Sequence, residues 1–448
     1  MTRTVAREKW HPTSWQSLPA TQQPTYPDKQ VLERVISELS CLPPIVTSWE
    51  IDKLRSQIAK AQRGEAFVLQ GGDCAESFDE CTSENIVAKL KILLQMSLVM
   101  LYGLNKPIVR IGRMAGQYAK PRSADTETRD GQTLPSFRGD LVNRSPFTAN
   151  DRIPNPELIL RGYERAALTL NFVRSLIDGG FADLHHPEFW DLDWVGHSSM
   201  AEEYHNIVDA ILRSLDFLKS ISGRRLQQQR ADIYAAHEGL HLSYEQAQTR
   251  FLTHRKRWYN LSTHFPWIGM RTATIDSAHV EFFRGIANPI GIKIGPDMTV
   301  EYLQKLIGIL NPNNDPGRIS LIHRFGAKSI EDKLPDLVQA VRKTGSPVLW
   351  ICDPMHGNTE STANGIKTRR FNTIVSELES AFRVHKELGS YLGGVHLELT
   401  GENVTECTGG ARGLTDADLK RAYRSRVDPR LNYEQAMEVA MRIAGLRH

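Results

Sequence analysis

The sequence predicts a (β/α)8 TIM barrel that carries an N-terminal extension and an inserted helical segment between strands 2 and 3. Three observations lead there. Eight short apolar runs recur after residue 60, each closed by a polar or charged cluster. Helical periodicity fills most of the gaps between them. The chain of 448 residues also exceeds the roughly 250–300 residues of a single ordinary core, which leaves room for additions to a barrel.

Taken in order, the chain begins with an arm rich in Pro, Gln and Thr, HPTSWQSLPATQQPTYP, which reads as extended rather than as a core element. A helix over Lys29–Leu39 follows, with Val31, Val35, Ile36 and Leu39 on one face. Residues 1–60 are assigned to the extension and 61–448 to the catalytic barrel. The eight runs are Ala66–Glu76, Pro107–Gly116, Ala231–Gly239, Phe265–Arg271, Pro289–Pro296, Arg318–Gly326, Pro347–Gly357 and Gly394–Glu402. Near-continuous Val/Ile/Leu runs of this kind suit parallel strands buried on both faces. Amphipathic patterns span Ser83–Leu101, Val300–Ile309, Ser329–Thr344 and Thr373–Leu388, and Tyr433–Leu446 reads as a closing helix. The interval from Gly116 to Ala231 is far longer than a connection needs. It holds two helix patterns, Pro156–Asp178 and Met200–Ile221, which places a regulatory or oligomerisation insertion at about 125–230. A doubly wound open sheet allows the same alternation. The count of eight, and the absence of GxGxxG after the first strand, favour the barrel.

Composition removes several function classes. Hydrophobic residues at 40% and charged residues at 24% are ordinary for a folded protein. Lys+Arg at 55 against Asp+Glu at 52 gives no nucleic-acid or membrane footprint. Five scattered cysteines do not make a secreted disulfide framework. The start, MTRTVAREKW, has no signal-peptide core. The most apolar stretch, Ile92–Leu104, is broken by Gln95 and Ser97 and falls short of the roughly 20 residues of a membrane span. The expectation is a cytoplasmic enzyme with no nucleic-acid or membrane partner.

Active sites of such barrels lie at the C-terminal strand ends. Here those ends read Cys74, Arg113, His237-Glu238, Arg271, Lys293, Arg324, His356 and Glu398. Cys74, His356 and Glu398, with Asp428 of VDPRLN, offer sulfur, nitrogen and oxygen donors. That mixture suits a borderline divalent metal ion, Mn, Co, Zn or Fe, better than Mg. No CxxC or HExxH spacing supports the set. Cys74 alone also reads as a small buried hydrophobe, and His356 alone as a loop histidine. Cys41, Cys81, Cys352 and Cys407 are read as structural. Arg113, Lys120, Arg122, Arg271, Lys293 and Arg324 form a second set. Buried cations are costly unless they meet anions, and guanidinium forks match phosphate and carboxylate, so the substrate is strongly anionic, or there are two. KPRS, Lys120–Ser123, reads as a second phosphate cradle. Lys367, Arg369 and Arg370 in IKTRRF are placed to close over the same phosphate, although Arg369 equally suits a solvated helix start.

At these residues the chain resembles a known family. GGDCAESF, RMAGQYAKPRS, FFRGIANPIGIKIGP, CDPMHGNT, HLELTGENVTEC and DPRLN, in order from about residue 66 to residue 432, are similar to the type II 3-deoxy-D-arabino-heptulosonate 7-phosphate (DAHP) synthases. The resemblance implies a metal-dependent barrel with an extension and inserted helices. It implies condensation of phosphoenolpyruvate with D-erythrose 4-phosphate and water to give DAHP and phosphate, the first step of the shikimate pathway to chorismate and aromatic amino acids. The implied metal ligands are Cys74, His356, Glu398 and Asp428, holding manganese or cobalt ahead of zinc or iron, with no organic cofactor. Phosphoenolpyruvate would be held by Arg113, Arg271, Lys293 and Arg324, with the backbone N–H of Met270. Erythrose 4-phosphate would use Lys120, Arg122, Ser123, Lys367 and Arg370. The catalytic residues are then Lys293 for proton transfer, His356 as ligand before proton relay, and Cys74. A Schiff base is the rival role for Lys293.

The family further implies a homodimer or homotetramer and feedback by an aromatic amino acid or a chorismate-type effector. Tyr163–Leu176 and Ala210–Leu218 carry apolar residues on more than one face, which suits an interface and burial against the barrel equally. Two departures stand out. Met270 replaces the Glu of many relatives. Val427 stands where some relatives have a cysteine able to pair with the first ligand cysteine, so that redox switch has no second thiol here. The alternative reading is a class II aldolase or another enolpyruvate-condensing synthase, and a scaffolding role is a third. Six anion-binding cations favour two phosphorylated substrates over one.

Overall fold

The computed structural model describes residues 9–183, 187–190, 199–222 and 231–446. Eight parallel strands close on themselves: β1 Phe67–Gly72, β2 Ile108–Arg113, β3 Ile233–Glu238, β4 Phe265–Ile268, β5 Ile290–Ile294, β6 Ile319–His323, β7 Val348–Cys352 and β8 Leu392–Glu398. Seven fall inside their apolar runs, and β8 starts two residues ahead of the run Gly394–Glu402. Gly72 stands level with Arg113 on one side and with Glu398 on the other. That register brings the C-terminal ends of β8, β1 and β2 side by side.

Two cores hold the barrel. Its interior packs Val68, Ile111, Phe265, Trp267, Ile322 and Ile351 among others, and it is continuous with Leu54, Ile58 and Ala61 of a helix over Ser48–Gln62. This helix plugs the N-terminal mouth and was not read from the sequence. Its signal was there: Thr47 and Glu50 form a reciprocal capping box, and Ile51, Leu54, Ile58 and Ala61 share one face. Part of the N-terminal extension is therefore barrel core.

The outer core lies between strands and helices. Ser83–Leu104 is longer than the pattern read from the sequence. By length and composition alone it is long and apolar enough to cross a membrane, but 67% of its most apolar window is buried inside the protein. Burial on several sides explains the apolarity. At Gly103 it approaches the closing helix Tyr433–Gly445 so closely that a Cβ would sit 2.2 Å from that of Ala444.

The arm is strapped to the barrel rather than free. The Trp10 ring lies over Gly285 and meets Trp258 edge-on at 5.9 Å. The Trp15 indole N–H donates to Gln246 at 3.0 Å, and Tyr26 Oη lies 2.7 Å from His241. Between β2 and β3 stand a hairpin, Thr126–Arg129 with Gln132–Pro135, and helices Glu157–Asp178 and Ala201–Ser222. On the first helix Leu170 is buried at 2% exposure while Leu168 is 50% exposed. Side chains 215–218 lie outside the described residues. Further hairpins, Thr249–Leu252 with Arg257–Asn260 and Thr359–Ser361 with Lys367–Arg369, were not anticipated. Their strands are too short and too polar to leave a periodic signal.

Candidate active site

A cavity of about 500 Å³ opens at the C-terminal mouth of the barrel. Donor atoms of Cys74, Glu398 and Asp428 lie within 4.8 Å of one another, and of the three Asp428 lines the cavity. His356 Nε2 is 2.9 Å from Glu398 Oε1, so the fourth expected ligand touches this set at Glu398, while its own mutual group is with Asp353 and His396. The four come from the turn after β1, the loop after β7, the last residue of β8 and the loop before the closing helix. His356 Nδ1 sits 2.8 Å from Asp353 Oδ2. A carboxylate there holds the proton on Nδ1 and turns the Nε2 lone pair toward the other donors. Asp353, fully buried, was not singled out, although CDPMHG places it one helical turn before the histidine.

Lys120 lies among these donors. Its Nζ is 2.8 Å from Cys74 Sγ, 2.9 Å from Asp428 Oδ2 and 4.0 Å from Glu398 Oε1. An anionic pocket of sulfur, imidazole and carboxylate therefore attracts a cation, and its donor chemistry fits a borderline divalent ion. Burial, reinforced by Glu398, pushes the Cys74 thiol up to about 12 against the pull of Lys120. Thiolate ligation thus needs positive charge beside it. Burial would also raise Glu398, but His356, Arg369, Lys120 and Arg113 hold it well below the usual carboxylate range. Arg113 Nη2 donates to it at 3.0 Å and Arg369 Nη1 at 2.7 Å.

The residues expected to hold phosphoenolpyruvate all line the cavity: Arg113, Met270, Arg271, Lys293 and Arg324. Arg113 is anchored by the carbonyls of Asp73 and Cys74, at 2.8 and 3.1 Å, with its guanidinium 5.1 Å from the Trp267 ring centre. Lys293 pairs with Asp353. Burial pulls the Lys293 ammonium down to about 8, with Asp353 opposing. Arg324 donates to the His356 carbonyl, while its buried Nε has no hydrogen-bond partner.

Of the sugar-phosphate set, Lys120, Arg122, Ser123 and Lys367 line the same cavity. Arg271 Nη2 donates to Ser123 Oγ at 3.0 Å and so joins the two sets. Arg370 is not among the lining residues; it pairs with Glu360 and Asp416 outside. Arg369, which equally suited a solvated helix start, is instead fully buried against Glu398. Strand alternation explains the exchange: Lys367 and Arg369 share one face of their short strand, and Arg370 is already the cap of helix Phe371–Glu387.

Glu238, a strand end in the sequence reading but not assigned a role there, also lines the cavity with Gln117, Trp267 and Thr359. Its buried Oε1 has no hydrogen-bond partner. Burial raises its carboxyl despite Lys120, Lys293, Arg113 and Arg271 nearby. Neighbouring His237 instead joins a separate buried network with Glu245 at 2.7 Å.

Three buried carboxylates shape the loops that carry the site. Glu76 accepts the backbone N–H groups of Ala115, Gly116 and Gln117 at 3.1, 2.9 and 2.9 Å. Gly116 has φ +148°, and a Cβ there would lie 2.3 Å from His237 Nδ1, so only glycine fits. Glu377 accepts from Phe325 N, Gly326 N and Asn358 Nδ2, tying the loop of Arg324 to that of His356. Glu406 accepts from the backbone of Arg424, Ser425 and Arg430 around Asp428.

Comparison with known proteins agrees in extent as well as in motif. A family model described as the class-II DAHP synthetase family matches residues 10–444. A phospho-2-dehydro-3-deoxyheptonate aldolase of Neurospora crassa is 48% identical over 452 residues, covering 97% of this chain and 94% of that protein. A protein of the same name from Streptomyces coelicolor is 47% identical over 431 residues, covering 96% of each.

Proposed function

This chain belongs to the class-II DAHP synthetase family, and from that premise we propose how its side chains divide the reaction between them. The activity is DAHP synthesis in the shikimate pathway: phosphoenolpyruvate, erythrose 4-phosphate and water give DAHP and phosphate. The observation that carries the division is one cavity in which two groups of cations meet beside a thiol, imidazole and carboxylate donor set.

Arg113, Arg271, Lys293 and Arg324 take the phosphate and carboxylate of phosphoenolpyruvate. Lys120, Arg122, Ser123 and Lys367 take the phosphate of the sugar. Holding both anions turns a bimolecular encounter into a positioned one, with C3 of the enolpyruvate facing the aldehyde carbon. A divalent ion held by Cys74, His356, Glu398 and Asp428, manganese or cobalt ahead of zinc or iron, would supply Lewis acidity at the aldehyde oxygen. Bond formation at C3 leaves positive charge at C2, and water adds there. Glu238, which lines the cavity, accepts the proton of that water. Lys293, with its pKa near 8, holds a proton for the new hydroxyl or for the departing phosphate.

The test is phosphate release when both substrates are mixed, with and without chelator. The expected result is release that needs both substrates, stops on exhaustive chelation and returns with manganese or cobalt. Full activity in the chelated, dialysed protein would remove the metal from the proposal while leaving the cation groups in place.

Assembly as a homodimer or homotetramer, and control by an aromatic amino acid or chorismate, belong to the same proposal. Their support is a long segment between β2 and β3 whose helices, among the described residues, do not line the cavity and which exposes Leu168 and Phe189. A cytoplasmic location is supported by five free cysteines.

A further inference from the structure

The Pro/Gln/Thr-rich arm reaches the substrate end of the barrel. Its turn around Gln22 and Gln23 is pinned to both loops that leave β2 and β3. Gln23 Nε2 donates to the Leu240 carbonyl at 2.7 Å, and Leu242 N–H donates to Gln23 Oε1 at 3.0 Å. Gln22 Nε2 donates to the Arg122 carbonyl at 3.0 Å, and Arg122 N–H donates to Gln22 Oε1 at 2.8 Å. One side-chain amide thus pairs with both main-chain groups of one residue, as a neighbouring strand would. Among the described residues these are the only hydrogen bonds of the Arg122 main chain. Arg138 Nη1 reaches the same Gln22 oxygen at 3.4 Å, while its carbonyl accepts the Lys120 N–H at 2.9 Å.

Gln22 also has φ +63°, a left-handed conformation that a side chain with a Cβ rarely adopts. Such a backbone persists where its surroundings over-determine it. Here the amide pairs of Gln22 and Gln23 do so, together with the Ala278 N–H bond to the Pro19 carbonyl at 3.0 Å.

We propose that Gln22 is a positioning residue for the sugar-phosphate half of the site, holding the Arg122 main chain so that Lys120, Arg122 and Ser123 converge on one phosphate. The N-terminal arm is then part of the substrate site and not only a strap. This rests on the assignment of the Lys120–Ser123 loop to erythrose 4-phosphate.

Q22G tests it cleanly, because glycine keeps the left-handed turn and removes only the amide. Q22N keeps an amide and tolerates the turn, but is one methylene short. We expect Q22G to raise the KM for erythrose 4-phosphate about threefold to tenfold, the size of one or two lost neutral hydrogen bonds. The kcat, the KM for phosphoenolpyruvate, the metal affinity and the Tm should stay at wild-type values, with Q22N falling between the two. R122A is measured alongside. If R122A raises the sugar-phosphate KM and Q22G does not, the positioning role is overturned and the loop assignment stands. If R122A leaves that KM unchanged, both fall together. A Q22G protein that melts earlier and loses affinity for both substrates equally assigns the arm to packing alone.

Discussion

Lys293 concentrates the residue-scale chemistry: it sits at 5% exposure between Asp353 and the guanidinium groups of Arg113 and Arg324. Burial lowers its pKa from the ordinary 10.5 to about 8. The sign follows directly. Below pH 8 the ammonium is charged and attracts phosphoenolpyruvate; above it the charge is lost while the arginines keep theirs. The kcat/KM for phosphoenolpyruvate, which reports the free enzyme, should therefore fall as pH rises through about 8. A profile flat to pH 9.5 would show that Lys293 keeps its proton throughout. The sequence made this residue legible because a lysine ending an apolar strand run is conspicuous. Glu238 stood there only as a strand end without a role, and Asp353 was not singled out, because a carboxylate near a histidine in sequence is common and only closure of the barrel shows what each one meets.

At the scale of elements, the inserted helix Glu157–Asp178 separates two readings that the sequence left level. Leu158, Ile159, Tyr163, Ala166, Leu170 and Val173 are buried within the described chain, so this face packs on the protein itself. Leu168 points away and is half exposed. Leu170→Asp would bury a charge and should lower stability by several kcal/mol, of order 3–5, with Tm falling and the soluble yield with it. Leu168→Asp should leave Tm nearly unchanged. If this helix forms an interface, the second variant alone shifts the sedimentation coefficient and the response to Phe, Tyr, Trp or chorismate. Unchanged sedimentation and inhibition in Leu168→Asp would remove this face of the helix from assembly and control. Periodicity found the helix to within a residue or two, yet it could not say which apolar face meets its own chain.

For the whole molecule, the proposed metal set would tie four distant segments together, from Cys74 to Asp428, with His356 joined through Glu398. A ligand that binds only the folded state stabilises it by mass action, about 2.7 kcal/mol at a hundredfold excess over Kd. Manganese or cobalt should accordingly raise the Tm of chelated protein, and C74S should lose most of that rise together with turnover. An equal Tm rise in C74S would place the ion elsewhere. The eight strands, the closing helix and the residues at the strand ends were determined by the sequence alone. The reason is that a parallel strand buried on both faces must be continuously apolar and must end where polar chemistry begins. Tertiary structure alone decided that Lys120 lies among the thiol and carboxylates, that Arg369 turns inward while Arg370 turns out, and that Gln22 pairs with Arg122. It also decided that Ser48–Gln62 plugs the barrel floor. These depend on which segments meet across a hundred residues or more once the barrel closes, and local periodicity records how deeply a residue is buried but not which residue it will touch.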